Sequence, residues 1–491
     1  MSGTGEGVLG RAISGGRWAV FGLGVQKAVG FISFFILARL LAPADYGVMT
    51  VVLMMVGVLE TLSLPGFERA LIQKKGEIRE YLDVFWTFNV LRALGISILI
   101  FLAAPFVGKF FHIADPLALN VLRLSGFLVL INALGNLGSL FFFKELEFKN
   151  LFWRDMAGQA AFVAAAVGWA LFHPTVFALF LGYLARNIAA VFIQYFLHPH
   201  RPRFSFYFSR LRDLVSFGFW AMGQNVLNQA NSILQTTFVG RFLGTAELGL
   251  YSRATSIVSL PSSALFSIVS KVGFPAYSRV QDSREKVMSG FVKSFDVAFL
   301  TTVPFLFLIL TSAEGLVLVL LGAKWVGMVG AMKVLVPAFT LEGFAHITYP
   351  LLEGIGRPDL RAKLSFLRLA FLFPLLLYLA PRGIVFAALA LLITSAVLFL
   401  ATAFWVFRRL KPSFSRLAAP VLSVLGSCFL TISLAYPFYS FFWNAGLAFY
   451  VLFLLAAGLV YFLSLLFLAS YFKDGPYQTL RLIFRQGGFG I

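Results

Sequence analysis

Ala38-Arg39-Leu40-Leu41-Ala42-Pro43-Ala44-Asp45-Tyr46-Gly47 is echoed 202 residues further on by Gly240-Arg241-Phe242-Leu243-Gly244-Thr245-Ala246-Glu247-Leu248-Gly249. Arg, Leu, an acid and a closing Gly recur in register. The match extends upstream, where Gly16 aligns with Gly218, Trp18 with Trp220 and Gln26 with Asn228. Each copy interrupts long apolar sequence and reads as a hairpin joining two membrane helices. Repetition at a fixed offset marks a fold built from two similar halves.

The rest of the 491-residue chain places these halves in lipid. It is 59% hydrophobic and 12% charged, with a mean hydropathy of +0.87, too little polar surface to cover a soluble globule of this length. In lipid only helices and closed barrels satisfy every backbone group. The apolar runs lack the period-2 alternation of a barrel strand and reach the ~20 residues a helix needs to span a bilayer. About fourteen such spans are expected, near 15–40, 44–64, 84–107, 118–141, 151–172, 175–197, 214–240, 246–273, 289–313, 330–352, 362–380, 384–407, 417–436 and 445–470. An even number of spans separates the hairpins, so the repeat is parallel. The expected fold is an all-α integral membrane protein of about 14 helices. Two six-helix lobes, 1–202 and 203–413, face a central cavity, and residues 414–491 supply two accessory helices and a tail.

Charge fixes the expected orientation. About 29 of the 40 Lys and Arg fall in alternate loops, the asymmetry that marks cytoplasmic loops and here puts both termini in the cytoplasm. The net charge of +19 is then a basic face against anionic lipid, and nucleic acid need not be invoked. The single cysteine, Cys428, sits in an apolar run with no partner for a disulfide or zinc site. Gly5-Glu6-Gly7-Val8-Leu9-Gly10 fits the dinucleotide fingerprint, yet neither strand nor βαβ unit frames it, so it reads as an N-terminal tail. No cofactor is expected, and the first apolar segment reads as a retained helix, too long for a cleaved signal.

The stretch Arg39 to Gly47, the run Arg69-Ala70-Leu71-Ile72-Gln73-Lys74-Lys75, Asp83-Val84-Phe85-Trp86 and Gly354-Ile355-Gly356-Arg357-Pro358 resemble the polysaccharide transporter branch of the multidrug/oligosaccharidyl-lipid/polysaccharide flippase superfamily, the Wzx-type flippases. The likeness covers nearly the whole chain and bears on fold more than on substrate. It implies a bacterial inner-membrane flippase that moves a lipid-linked (polyprenyl pyrophosphate) oligosaccharide by alternating access. H⁺ or Na⁺ and contacts with polysaccharide biosynthesis enzymes are among the expected partners.

Intramembrane charge marks the candidate site, since a cation at the bilayer centre costs at least ~2.5–3.5 kcal/mol. Lys27 lies ten residues after Arg17 and twelve before Arg39, about 15 Å into its span. Arg92 and Arg186 are similarly deep. On the seventh span Gln224, Asn228, Asn231 and Gln235 recur at helical spacing beside Asn225, Gln229, Ser232 and Thr236. Amides both donate to and accept from hydroxyls, and Lys and Arg suit phosphate. The expected substrate contacts are Lys27, Arg92 and Arg186 for the diphosphate and Gln26, Asn225, Asn228 and Gln229 for the sugar. A second reading has these groups pairing internally and holding helices together. Glu60, Asp296 and Glu342 are candidates for ion coupling, with His346 one turn beyond Glu342; the second reading has them neutralising neighbouring cations. Arg39 with Asp45 and Arg241 with Glu247 read as turn-stabilising ion pairs, or as an outer gate.

Two further functions fit a chain of this kind. A drug or metabolite antiporter shares the fold, but its site is expected to be more apolar and to hold acids. A membrane enzyme acting on lipid-linked sugars needs an outer domain bearing acids or His, and here the longest loops are basic and on the cytoplasmic side.

Overall fold

A computed structural model describes residues 4–63, 79–144, 147–207, 212–411, 414–444 and 447–471. Among them all the regular secondary structure is helical, and nine helices are long and apolar enough to cross a membrane. The helices are α1 (Thr4–Leu40), α2 (Pro43–Ser63), α3 (Arg79–Phe110), α4 (Pro116–Leu124), α5 (Gly126–Ala133), α6 (Leu140–Lys144), α7 (Phe148–Phe172), α8 (Val176–Leu197), α9 (Arg212–Val280), α10 (Arg284–Leu320), α11 (Val329–Gly354), α12 (Pro358–Leu379), α13 (Ile384–Leu410), α14 (Phe414–Asn444) and α15 (Leu447–Tyr471). Every span expected from the sequence has a helix over it. Large side chains such as Phe106, Phe172, Phe196 and Phe467 stand 77%, 80%, 73% and 72% exposed. In water that surface would be untenable; in lipid it is the solvated one.

Two expected spans take unexpected forms. The fourth is broken at buried Ser125, whose hydroxyl donates to the Leu122 carbonyl where α4 ends and α5 begins. The seventh and eighth run on as one long α9, broken at Gly244, where φ is 84° and ψ 179°. Only glycine adopts that backbone without strain, so the second hairpin turns on one residue.

The chain divides into two compact units, Met1–Gly249 and Leu250–Ile491. In the first, small residues let helices approach closely, as lipid-immersed packing requires. Gly22 of α1 lies under the Phe152 ring of α7, and Gly158 of α7 lies against Arg186 of α8. In the second, Tyr277, Phe291, Phe295, Phe344, Leu351 and Val406 form an apolar core.

Two of the family-like motifs, Asp83 to Trp86 and Gly354 to Pro358, have structural roles, and Arg69 to Lys75 lies outside the described residues. Asp83 Oδ1 accepts the backbone N–H of Arg203 at 3.1 Å, Thr87 Oγ1 accepts that of Ser205 at 2.8 Å, and Trp86 meets Phe204 edge to face at 5.1 Å. The connection after α8 is thereby strapped to the start of α3. At the end of α11 the Arg357 N–H bonds the Leu352 carbonyl and the Gly356 N–H bonds that of Glu353. Gly356 has φ 75°. This is the double-bonded helix stop that calls for glycine, and it explains Gly354 to Pro358 without a ligand.

Candidate functional site

The two glycine-closed hairpins, at Gly47 and Gly249, meet. A methyl group added at Gly47 would overlap the Thr245 carbonyl oxygen and stand 2.6 Å from its carbon; one at Gly249 would overlap the Pro43 carbonyl oxygen and stand 2.7 Å from its carbon. Pro43 and Thr245, like Gly47 and Gly249, are equivalent under the 202-residue offset. The contact is therefore reciprocal, backbone on backbone, at repeat-related positions. Deeper along the same seam, Thr237 donates to Met54 Sδ at 3.6 Å, and the Gln229 amide lies over Gly57. Around the turns, Asp45 accepts the Ala42 N–H at 2.8 Å, capping α2. Arg241 reaches the His112 ring and sits over the Phe110 ring at 5.3 Å.

The expected substrate residues fall at several places in the first unit. Lys27 is exposed. It shares a stripe of α1 with Phe34, seven residues on, whose ring meets Tyr46 of α2 at 6.3 Å. The half-buried Gln26 lies on another stripe, with Gly22 and Gly30, which faces Phe152 and Gln159 of α7. Arg92 donates to Ser63 Oγ at 2.7 Å and, from Nε and Nη2, to Asn89 Oδ1 at 3.2 and 2.7 Å. These bonds tie α3 to the end of α2, one turn from half-buried Glu60. Arg186 is half-buried in the α7–α8 seam. The side chains of Asn225 and Asn228 lie outside the described residues.

In the second unit Asp296 of α10 is buried, 2% exposed. Glu342 of α11 is buried too, and its carboxylate is ion-paired with Arg368 of α12, while His346 Nε2 lies 3.4 Å from the same oxygen. Arg368 is not among the candidates that the sequence singles out. In the structure it lies within α12, its side chain 14% exposed. The available signal was its place ten residues after Pro358, well inside the span. Between α10, α14 and α15 an apolar cavity of about 370 Å³ is lined by residues including Thr301, Phe305, Leu308, Cys428, Phe453 and Tyr461.

A helical bundle with buried charge and repeat-related hairpins in contact has the construction of a membrane transporter. The fold is similar to that of Lipid II flippase MurJ in an inward closed conformation, with a TM-score of 0.74 at 13% identity over 93% of this chain and 98% of that one. It is also similar to an inward-facing multidrug resistance MATE family transporter of the MOP superfamily, with a TM-score of 0.59 at 17% identity over 79% of this chain and 96% of that one. The chain belongs to the polysaccharide biosynthesis protein family, which matches residues 36–330. Among its relatives, Lipopolysaccharide biosynthesis protein WzxC of Escherichia coli (strain K12) is 25% identical over 365 residues, 74% of each chain. Succinoglycan biosynthesis transport protein ExoT of Rhizobium meliloti (strain 1021) is 26% identical over 349 residues, 69% of this chain and 68% of its own.

Proposed function

We infer that this protein is a flippase that carries a lipid-linked oligosaccharide across the bacterial inner membrane for surface polysaccharide assembly. The observation that carries the reading is the family match over residues 36–330, supported by relatives named for polysaccharide biosynthesis and transport. The protein works as a transporter and not as an enzyme. Its repeat lobes, 1–202 and 203–413, open alternately to the cytoplasm, where both termini lie, and to the outer side. The reciprocal contact at Gly47 and Gly249 closes the outer ends.

Within this reading Lys27, Arg92 and Arg186 receive the diphosphate, and Gln26, Asn225, Asn228 and Gln229 the sugar. Lys27 is best disposed for this, as an exposed ammonium deep in α1. Glu60, Asp296 and Glu342 are the acids through which H⁺ or Na⁺ couples to the cycle. The apolar cavity beside α14 and α15 suits hydrocarbon and would take part of a prenyl chain.

Deletion of the gene tests the reading. Lipid-linked sugar should accumulate on the cytoplasmic leaflet and surface polysaccharide should disappear, both restored by the intact chain. Unchanged polysaccharide, with new sensitivity to cationic dyes, would favour the antiporter instead.

A further inference from the structure

The seam between α11 and α12 carries a ladder of charge that the substrate assignments leave unused. On α11, Glu342, His346, Tyr349 and Glu353 recur at i, i+4, i+7 and i+11, one helical face. On α12, Arg361 and Arg368 lie two turns apart. Glu353 pairs with Arg361, and the Arg361 guanidinium sits 5.3 Å over the Tyr349 ring. Tyr349 meets the His346 ring at 5.6 Å, and His346 approaches Glu342, which holds Arg368. Side-chain exposure is 31% at Glu353 and 39% at His346, and drops to 6% at Glu342. The ladder descends about 16 Å along α11, starting from the end that the charge distribution assigns to the cytoplasm.

At its deep end two buried atoms, Glu342 Oε2 and Arg368 Nε, have no hydrogen-bond partner among the described residues. Leaving either unsatisfied is costly, and each specifies what would satisfy it. The carboxylate oxygen accepts a proton. The guanidinium Nε, beside its Nη groups, offers the fork that fits two oxygens of a phosphoryl group. Among the described residues, the other ionisable groups that interact with the pair are His346 and Tyr349 on α11 and Tyr251 on α9, and Arg361 on α12 acts on Tyr349.

We propose that the α11–α12 seam is a proton-gated oxyanion site, in which Arg368 is occupied by ionised Glu342 and passes to a phosphate oxygen when Glu342 takes up a proton by way of His346. One proton enters with each anion. The buried cluster keeps its net charge, because the incoming negative oxygen replaces the carboxylate charge that the proton removed. The ligand class is an organic phosphate or diphosphate headgroup. The proposal rests on the flippase reading for its cargo, but not for its chemistry.

The test uses full-length protein in phosphatidylcholine nanodiscs with inorganic pyrophosphate as the probe. If one proton is linked to binding, affinity should rise about tenfold per pH unit as pH falls, beyond the change shown by Glu342→Gln. That variant cancels the titration of the ligand itself and should bind at pH 8 as the intact chain does at low pH. Because Arg368→Gln alone would strand a buried carboxylate and risk misfolding, the paired variant Glu342→Gln/Arg368→Gln is the one to use; it should fold and not bind. Equal pH slopes in the intact chain and Glu342→Gln, or unchanged binding by the double variant, would overturn the site. Repeating the titration in phosphatidylglycerol discs separates sources. Competition there makes a bilayer headgroup the occupant, and its absence favours diphosphate cargo. Proton-linked binding in a chain that fails to restore surface polysaccharide would sink the flippase reading and leave this site standing; restoration without such binding would do the reverse.

Discussion

Gly47→Ala places one methyl group where the two hairpins touch, and its effect can be worked through. The new carbon would stand 2.6 Å from the Thr245 carbonyl carbon, against the 3.5–4.0 Å at which carbons rest, and would overlap the carbonyl oxygen, so the backbones must part by more than about 1 Å. Overpacking of this kind costs about 1–3 kcal/mol. Alanine in a helix regains roughly 0.5–1 kcal/mol over glycine, leaving a net penalty of about 0.5–2 kcal/mol on the state in which the hairpins meet. At 1.4 kcal/mol per tenfold, the ratio of touching to parted hairpins falls by about 2- to 30-fold. Leu248, 1% exposed in the second hairpin, reports the opening. In a Cys428→Ser background, a cysteine at this position (Leu248→Cys) should react with a membrane-impermeant maleimide about 2- to 30-fold faster once Gly47→Ala is added. Gly249→Ala should do the same, because the contact is reciprocal. If instead both alanine variants raise the melting temperature and leave the thiol protected, helix propensity alone governs these positions and the outer closure described above is wrong.

Three other outcomes follow from single contacts. Lys27→Ala should abolish polysaccharide export while the protein reaches the membrane at normal levels and melts normally, since the side chain is exposed; retained export would remove Lys27 from the site. Asp83→Ala takes away the carboxylate that accepts the Arg203 N–H, so the detergent-solubilised protein should lose about 1–3 kcal/mol of stability, read as a lower melting temperature, and an unchanged melting curve would refute the strap. Gly356→Ala forces a side chain into positive φ and should destabilise by about 1–2 kcal/mol, with Gly356→Asn milder because asparagine tolerates that region; equal effects would show that the backbone conformation is not what selects glycine there.

Sequence alone determined the helical spans, the repeat and the pair of glycine-closed hairpins. Hydropathy is a local property: ~20 apolar residues in lipid must become a helix, whatever surrounds them. Repeat register is likewise read from the residues alone, and it makes Gly47 and Gly249 equivalent, whereas their contact is a matter of packing. What the tertiary structure decided were the partners. Glu342 and Arg368 stand 26 residues apart on different helices, and their meeting depends on how α11 and α12 are rotated against each other, which side-chain packing sets. The same holds for Arg92, bound to Ser63 across the α2–α3 pair, and for Asp83, bound to a backbone N–H 120 residues away. Gln26 and Lys27, adjacent in sequence, lie on different stripes of α1, because a helix turns about 100° per residue. Composition counts the charges in a membrane protein; only packing chooses which of them meet.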